Sequence, residues 1–239
     1  MLRFSSRKLL LNRRWVIVAL VAALVAVVMG YVASQTQGGD LDAGSTLLSA
    51  LVLTFLLPVM ALIYGASMIR NEIDDRSITH VITSPLDRRV SYLGYYLSLI
   101  GVLAVMLVII GLVGWSAFFL YSGSGAEALS LLLSYSLLLI IGAVVYSSLF
   151  LALGVVLKQP IYLGLLYAFV WEGLIGSVPG AIGQYTVMYN LKVIGADLIH
   201  NGSIVDFTGD AGIAALSLAV FTIVMLAIGA FVFWEKEVP

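Results

Sequence analysis

Residues 70–89 read RNEIDDRSITHVITSPLDRR, and the placing of this stretch decides the fold. It holds Arg70, Arg76, Arg88 and Arg89 beside Glu72, Asp74, Asp75 and Asp87, in a chain with only 12 Lys/Arg and 13 Asp/Glu. The sequence on either side is apolar, over 46–68 before it and 93–121 after it. A charged segment between two such runs lies outside a membrane that the runs cross. Asn71 suits a helix cap, and Glu72, Asp74 and Asp75 fall where acids complement the helix dipole. Ile78, Val81 and Ile82 share one face at i, i+3, i+4 spacing. Pro85 ends the helix, because it biases Ser84 away from helical geometry. Residues 71–84 thus read as a short amphipathic helix tethered at both ends by membrane helices. A loop that only sets orientation has no need of acids, so the pattern favours docking to a soluble partner over a plain solvated loop.

Composition points the same way. The chain is 62% hydrophobic and 10% charged, against about 25% charged in soluble domains. A span needs about 20 mostly apolar residues to cross a core about 30 Å thick. Six segments meet or approach this: 15–32, 46–68, 93–121, 128–157, 161–178 and 211–234. The reading is an all-α polytopic membrane protein with six transmembrane helices, the whole chain, 1–239, forming one membrane domain. The third and fourth segments exceed the bilayer and must tilt or project. Pro58 is expected to kink the second. The fifth is short and runs into Gly176-Ser177-Val178-Pro179-Gly180, a helix-breaking cluster.

Orientation follows the basic residues. Arg3, Arg7, Lys8, Arg13, Arg14, the four arginines of 70–89, Lys158 and Lys236 fall on one side if the spans alternate. The other side keeps Lys192 alone, with Asp40, Asp42, Glu127, Asp197, Asp206 and Asp210. Both termini are therefore expected in the cytoplasm. Val32-Ala33-Ser34 resembles a signal cleavage site, but the apolar run is too long and its removal would leave an odd topology. Residues 2–11 read as an interfacial amphipathic helix.

Several chemistries are excluded. Cysteine is absent, which removes disulfides, thiolate metal sites and thiol catalysis. His80 and His200 are the two histidines, too far apart for a paired metal site or a Ser/His/Asp set. No G-x-x-x-x-G-K-[ST] phosphate loop and no dinucleotide fingerprint occurs. The chain is expected to hold no cofactor or metal and to have no catalytic residues of its own.

Residues 179–210 are too apolar for a free loop. They are expected to form one or two short helices dipping into the outer leaflet or covering the mouth of the bundle, since helical breaks at membrane depth are tolerated only where the backbone is buried in protein or lines a cavity. Asn201-Gly202-Ser203 matches a glycosylation acceptor. Glu172 is the only acid well inside an expected span, about 17 Å along the fifth helix from Ile161. A carboxyl there is a functional candidate, lining a pathway or meeting a second chain. Alternatively it is hydrogen-bonded to tyrosine or backbone and positions the break at Gly173 and Gly176. Tyr135, Ser136, Tyr146, Ser147, Ser148, Tyr162 and Tyr167 read as helix-packing contacts.

The segment between the second and third spans resembles that of the type-2 ABC transporter permease family, the transmembrane subunits of ABC exporters. Glu72 and Asp75 match the family's acidic positions, Val81-Ile82 its apolar face, Pro85 and Arg88 its proline and arginine, and Gly94 its glycine. Arg76-Ser77 stands where Gly-Thr is usual, and Tyr95 replaces a lysine. The motif covers about 25 residues; the topology covers the chain. The resemblance implies that 71–84 is a coupling helix riding on a separate ATPase subunit, with Glu72, Asp75, Arg76, Ile78, Val81, Ile82, Pro85 and Arg88 at the interface. It further implies that ATP and Mg are bound by that partner, that two permease chains form one pathway as a homo- or heterodimer in a prokaryotic plasma membrane, and that the 179–210 segment is re-entrant. The competing readings are a stand-alone secondary transporter and a membrane scaffold docking a cytoplasmic protein.

Overall fold

A computed structural model describes residues 14–35, 40–74, 88–122, 126–174, 183–199, 204, 207 and 209–235. The described residues form helices and no strand. They are α1 (Arg14–Gln35), α2 (41–74), α3 (Arg88–Ser122), α4 (Ala126–Val156), α5 (Pro160–Leu174), α6 (Val187–Leu198) and α7 (Ala211–Glu235), with a 3-10 turn at Gly183–Tyr185. Five of them, α1, α2, α3, α4 and α7, are long and apolar enough to cross a membrane.

The helix at the fifth expected span differs from the other five. Described α5 ends at Leu174, so it rises only about 20 Å, short of a core about 30 Å thick. The second helix starts at Leu41 rather than 46, because Asp40 caps it by accepting from the Asp42 N–H. The third starts at Arg88 rather than 93, its charged first residues continuing the helix beyond the apolar run that defines the span. Residues 2–11 and 75–87 lie outside the described residues, as does the expected break at Gly176–Gly180.

Helix α2 is not uniform. It is α-helical over Leu41–Leu48 and Leu57–Asp74 and π-helical over Ser49–Leu56, where the Leu57 N–H reaches back five residues to the Val52 carbonyl. Pro58 explains the position. It has no N–H to offer the Thr54 carbonyl, and its ring crowds that carbonyl; a wider preceding turn relieves both. Where a kink is expected at Pro58, the feature observed is a π-helical stretch just before it.

The core sits along α2, α3 and α4. Leu53, Leu57, Leu99, Leu103, Tyr135 and Phe150 are fully buried there. Facing residues fix the directions. Gly142 packs on Leu57, and Gly154 on Ala66, so α2 and α4 run parallel; Gly111 meets Leu139 on α4, and Gly114 meets Val25 on α1. Cross-links satisfy polar tips inside the bundle. The Tyr135 hydroxyl donates to the Ser45 carbonyl at 2.8 Å, Tyr96 to the Val144 carbonyl at 3.1 Å, and the Trp115 indole to the Ala128 carbonyl at 3.0 Å. Leu20, Val27, Leu120, Leu133, Leu216 and Ile223 point outward, as lipid-facing side chains do.

Close backbone approach in this bundle depends on small residues. A side chain at Gly154 would start 3.1 Å from the Ala66 carbonyl oxygen, whereas one at Gly101 would meet nothing within 4 Å. Gly154→Leu is therefore expected to cost about 1–3 kcal/mol through overpacking, and Gly101→Leu to be neutral or slightly stabilising. Thermal unfolding of the two variants in detergent, side by side, checks this.

Candidate functional site

Inside the bundle, near the last described turns of α5, three elements converge on one carboxylate. Glu172 lies in the π-helical last turns of α5, Tyr167–Leu174, and is only 7% exposed. Its Oε1 accepts from the Tyr167 hydroxyl at 2.8 Å and from the Val187 N–H at 3.1 Å; its Oε2 accepts from the Met188 N–H at 2.9 Å. The Tyr146 hydroxyl of α4 approaches the same carboxylate without reaching hydrogen-bond geometry.

Val187 and Met188 open α6. The first N–H groups of a helix have no partner within it, and here each is accounted for. Thr186 caps the helix, its Oγ1 accepting from the Tyr189 N–H at 3.2 Å, and its own N–H donates to the Gly183 carbonyl at 3.1 Å. The Glu172 carboxylate takes the two between. Asn190 donates to the Gln184 and Thr186 carbonyls, both at 2.9 Å, closing the entry turn. A negative charge at this helix end also meets the positive pole of the helix dipole. The carboxylate is therefore an anchor, joining the top of α5 to the start of a helix 15 residues further along the chain.

The rest of α6 is tied down by packing. Gly195 sits against Leu138 of α4 and Ile204. Ser134 of α4 donates to the Leu198 carbonyl at 3.3 Å. The Lys192 ammonium lies 4.9 Å from the centroid of the Phe207 ring, a cation–π contact, and burial pushes its pKa below the usual lysine range. The expected short helix within 179–210 is thus present, and it covers the bundle rather than standing free of it.

Of the residues named from sequence, Glu172 is placed in full. Its carboxylate faces the interior of this chain and its oxygens are occupied by tyrosine and backbone. Tyr135, Ser136 and Ser148 make contacts within the bundle, while Tyr162 is 72% exposed. Glu72 falls in the last turn of α2 and Arg88 opens α3. Asp75, Arg76, Ile78, Val81, Ile82 and Pro85 lie outside the described residues. Sequence reading missed Thr186 and Asn190. The capping threonine was the available signal, but no Glu or Gln follows at the third helical position to complete a capping box. No group of three or more metal-ligating acidic or histidine side chains occurs among the described residues.

A bundle of long apolar helices with an apolar half-length helix and a packed cap defines a multi-pass membrane protein. Over residues 9–174 the sequence matches the family described as ABC-2 family transporter protein. The chain belongs to this family of ABC transporter permeases, the membrane subunits of those transporters. No curated protein matches the sequence.

The anchor makes a graded prediction. Glu172→Ala removes the acceptor for two helix N–H groups and one hydroxyl, whereas Tyr167→Phe removes one donor. Hydrogen exchange over residues 187–198 is expected to speed up about tenfold or more in the alanine variant, and only severalfold in Tyr167→Phe.

Proposed function

We propose that this chain is the permease subunit of an ATP-driven exporter, powered by a separate ATPase chain that docks on the 71–84 coupling helix. The observation that carries the reading is the family match over residues 9–174, which takes in the charged 70–89 segment between α2 and α3. Glu72, Asp75, Arg76, Ile78, Val81, Ile82, Pro85 and Arg88 form the docking surface. The acids and arginines give the charge complementarity, and the apolar face gives the burial. Both termini and this segment lie in the cytoplasm of a prokaryotic cell, and the α6 end faces outward, following the basic-residue split. The whole chain, 1–239, acts as one membrane domain, and two such chains, alike or different, line the pathway.

ATP and Mg bind the partner, since this chain carries no phosphate loop, and the chain itself is not an enzyme. A stand-alone ion-coupled carrier fits less well. Such carriers display ionisable groups at mid-membrane to bind the coupling ion, and here the one acid inside an expected span is engaged as a helix anchor.

The test is purification of the tagged chain from its native membrane in mild detergent, with mass spectrometry of bound proteins. A co-purifying chain with a phosphate loop is expected, its recovery falling about tenfold or more when Glu72→Lys and Arg88→Glu are combined. A clean homo-oligomer without an ATPase, under conditions that preserve other ABC complexes, would overturn the reading.

A further inference from the structure

Three features meet at the α6 end of the bundle. First, the hold on the start of α6 from another helix comes through one side chain, Glu172, which accepts from the Val187 and Met188 N–H groups. Second, Glu172 lies in a π-helical stretch, Tyr167–Leu174, and a second π-helical stretch, Ser49–Leu56, stands beside it, with the Phe55 and Phe169 rings 6.1 Å apart. A π-turn holds one residue more than an α-turn, so each stretch can return to α geometry by shifting the residues beyond it in register. In α5 the shifted part includes Glu172. Third, the rest of α6 packs through small and apolar residues, Gly195 against Leu138 of α4 and Val193 against Gly209 just before α7. Apart from the single Ser134–Leu198 hydrogen bond at 3.3 Å near the far end of α6, these contacts lack the directional hold of the carboxylate.

From this geometry we propose that Glu172 is the latch of an outward gate: its carboxylate holds α6 closed over the bundle at rest, and transport requires that hold to be broken. Glu172 is a positioning residue in this role, acting through α6 rather than on the cargo. A register shift in the Tyr167–Leu174 turns swings the carboxylate away from Val187 and Met188. Phe55 against Phe169 passes the same shift to α2, whose other end leads into the charged 70–89 segment. That connection joins the site of ATP-driven force to the latch. The proposal rests on the ATP-driven reading above for what breaks the latch, and on the atomic contacts alone for what the latch is.

The chain has no cysteine, so one introduced thiol reports cleanly. Val193 is 4% exposed and packs so closely on Gly209 that a side chain there would begin 3.0 Å from Val193 Cγ1. In a Val193→Cys background, labelling by a membrane-impermeant maleimide measures uncovering of α6. It is followed in native membranes, with the partner present, with and without ATP. With Glu172 intact, labelling is expected to be slow without ATP and about tenfold or more faster during turnover. With Glu172→Gln it is expected to be fast in both conditions, with the helix content of the bundle retained by circular dichroism. The amide keeps the shape but offers one acceptor oxygen in place of two. A merely structural glutamate would leave the ATP response in place, and that result overturns the latch. If ATP uncovers Cys-substituted 193 while Glu172→Gln stays as protected as the parent, the latch fails and the ATP-driven reading stands. If Glu172→Gln uncovers it while ATP never does, the latch stands and the ATP-driven reading fails.

Discussion

Hydrocarbon offers no hydrogen bonds, so every backbone group placed in it must find its partner within the protein. Long helices meet this demand automatically along their length, and α1, α3, α4 and α7 are built that way. The demand becomes acute where a helix starts inside the bundle, as α6 does. Its N–H groups are met by a threonine hydroxyl, the Gly183–Tyr185 turn and, for two of them, a carboxylate from α5. A charged acceptor suits this place better than a neutral one, since it answers both the unpaired N–H groups and the dipole behind them. The cost of burying Glu172 is offset by the helix it terminates.

The same demand shapes α2. Pro58 removes a donor in mid-membrane, and the chain widens into a π-helical stretch instead of leaving a sharp break. In α5 a similar stretch brings Glu172 toward α6. The two irregular stretches meet through the Phe55 and Phe169 rings, 6.1 Å apart. Around them the helices touch through glycines, and a side chain at Gly154 would press on the Ala66 carbonyl oxygen from 3.1 Å.

Much of this was legible in the sequence, and the physical reason is that lipid acts on composition. Long apolar runs bounded by charge locate α1, α3, α4 and α7 within a few residues, because hydrophobicity alone sets where they lie. Helix ends were less legible. Arg88 and Asp40 extend their helices past the apolar runs by local capping and helix continuation, which hydropathy does not register. Pro58 suggested a kink in α2, not a π-helical stretch, which depends on how the neighbouring helices accept an extra residue. At the candidate site, Glu172 stood out as a lone acid, and hydrogen bonding to tyrosine or backbone was among its readings. Tyr167 is five residues away and could be guessed. The Val187 and Met188 N–H groups could not, because they reach Glu172 only through the tertiary path of the segment between them.

Helix α3 has a mechanical consequence. It is an unbroken α-helix of 35 residues, starting at Arg88 in the last residues of the charged segment and carrying Phe118 against Gly44 near its far end. At 1.5 Å per residue it is a rod about 52 Å long. Pivoted at its Arg88 end, each degree of tilt displaces the Ser122 end by about 0.9 Å, by simple lever geometry on that length. With no π-turn or proline to absorb the motion, a rotation of a few degrees at one membrane surface becomes a movement the width of an atom at the other.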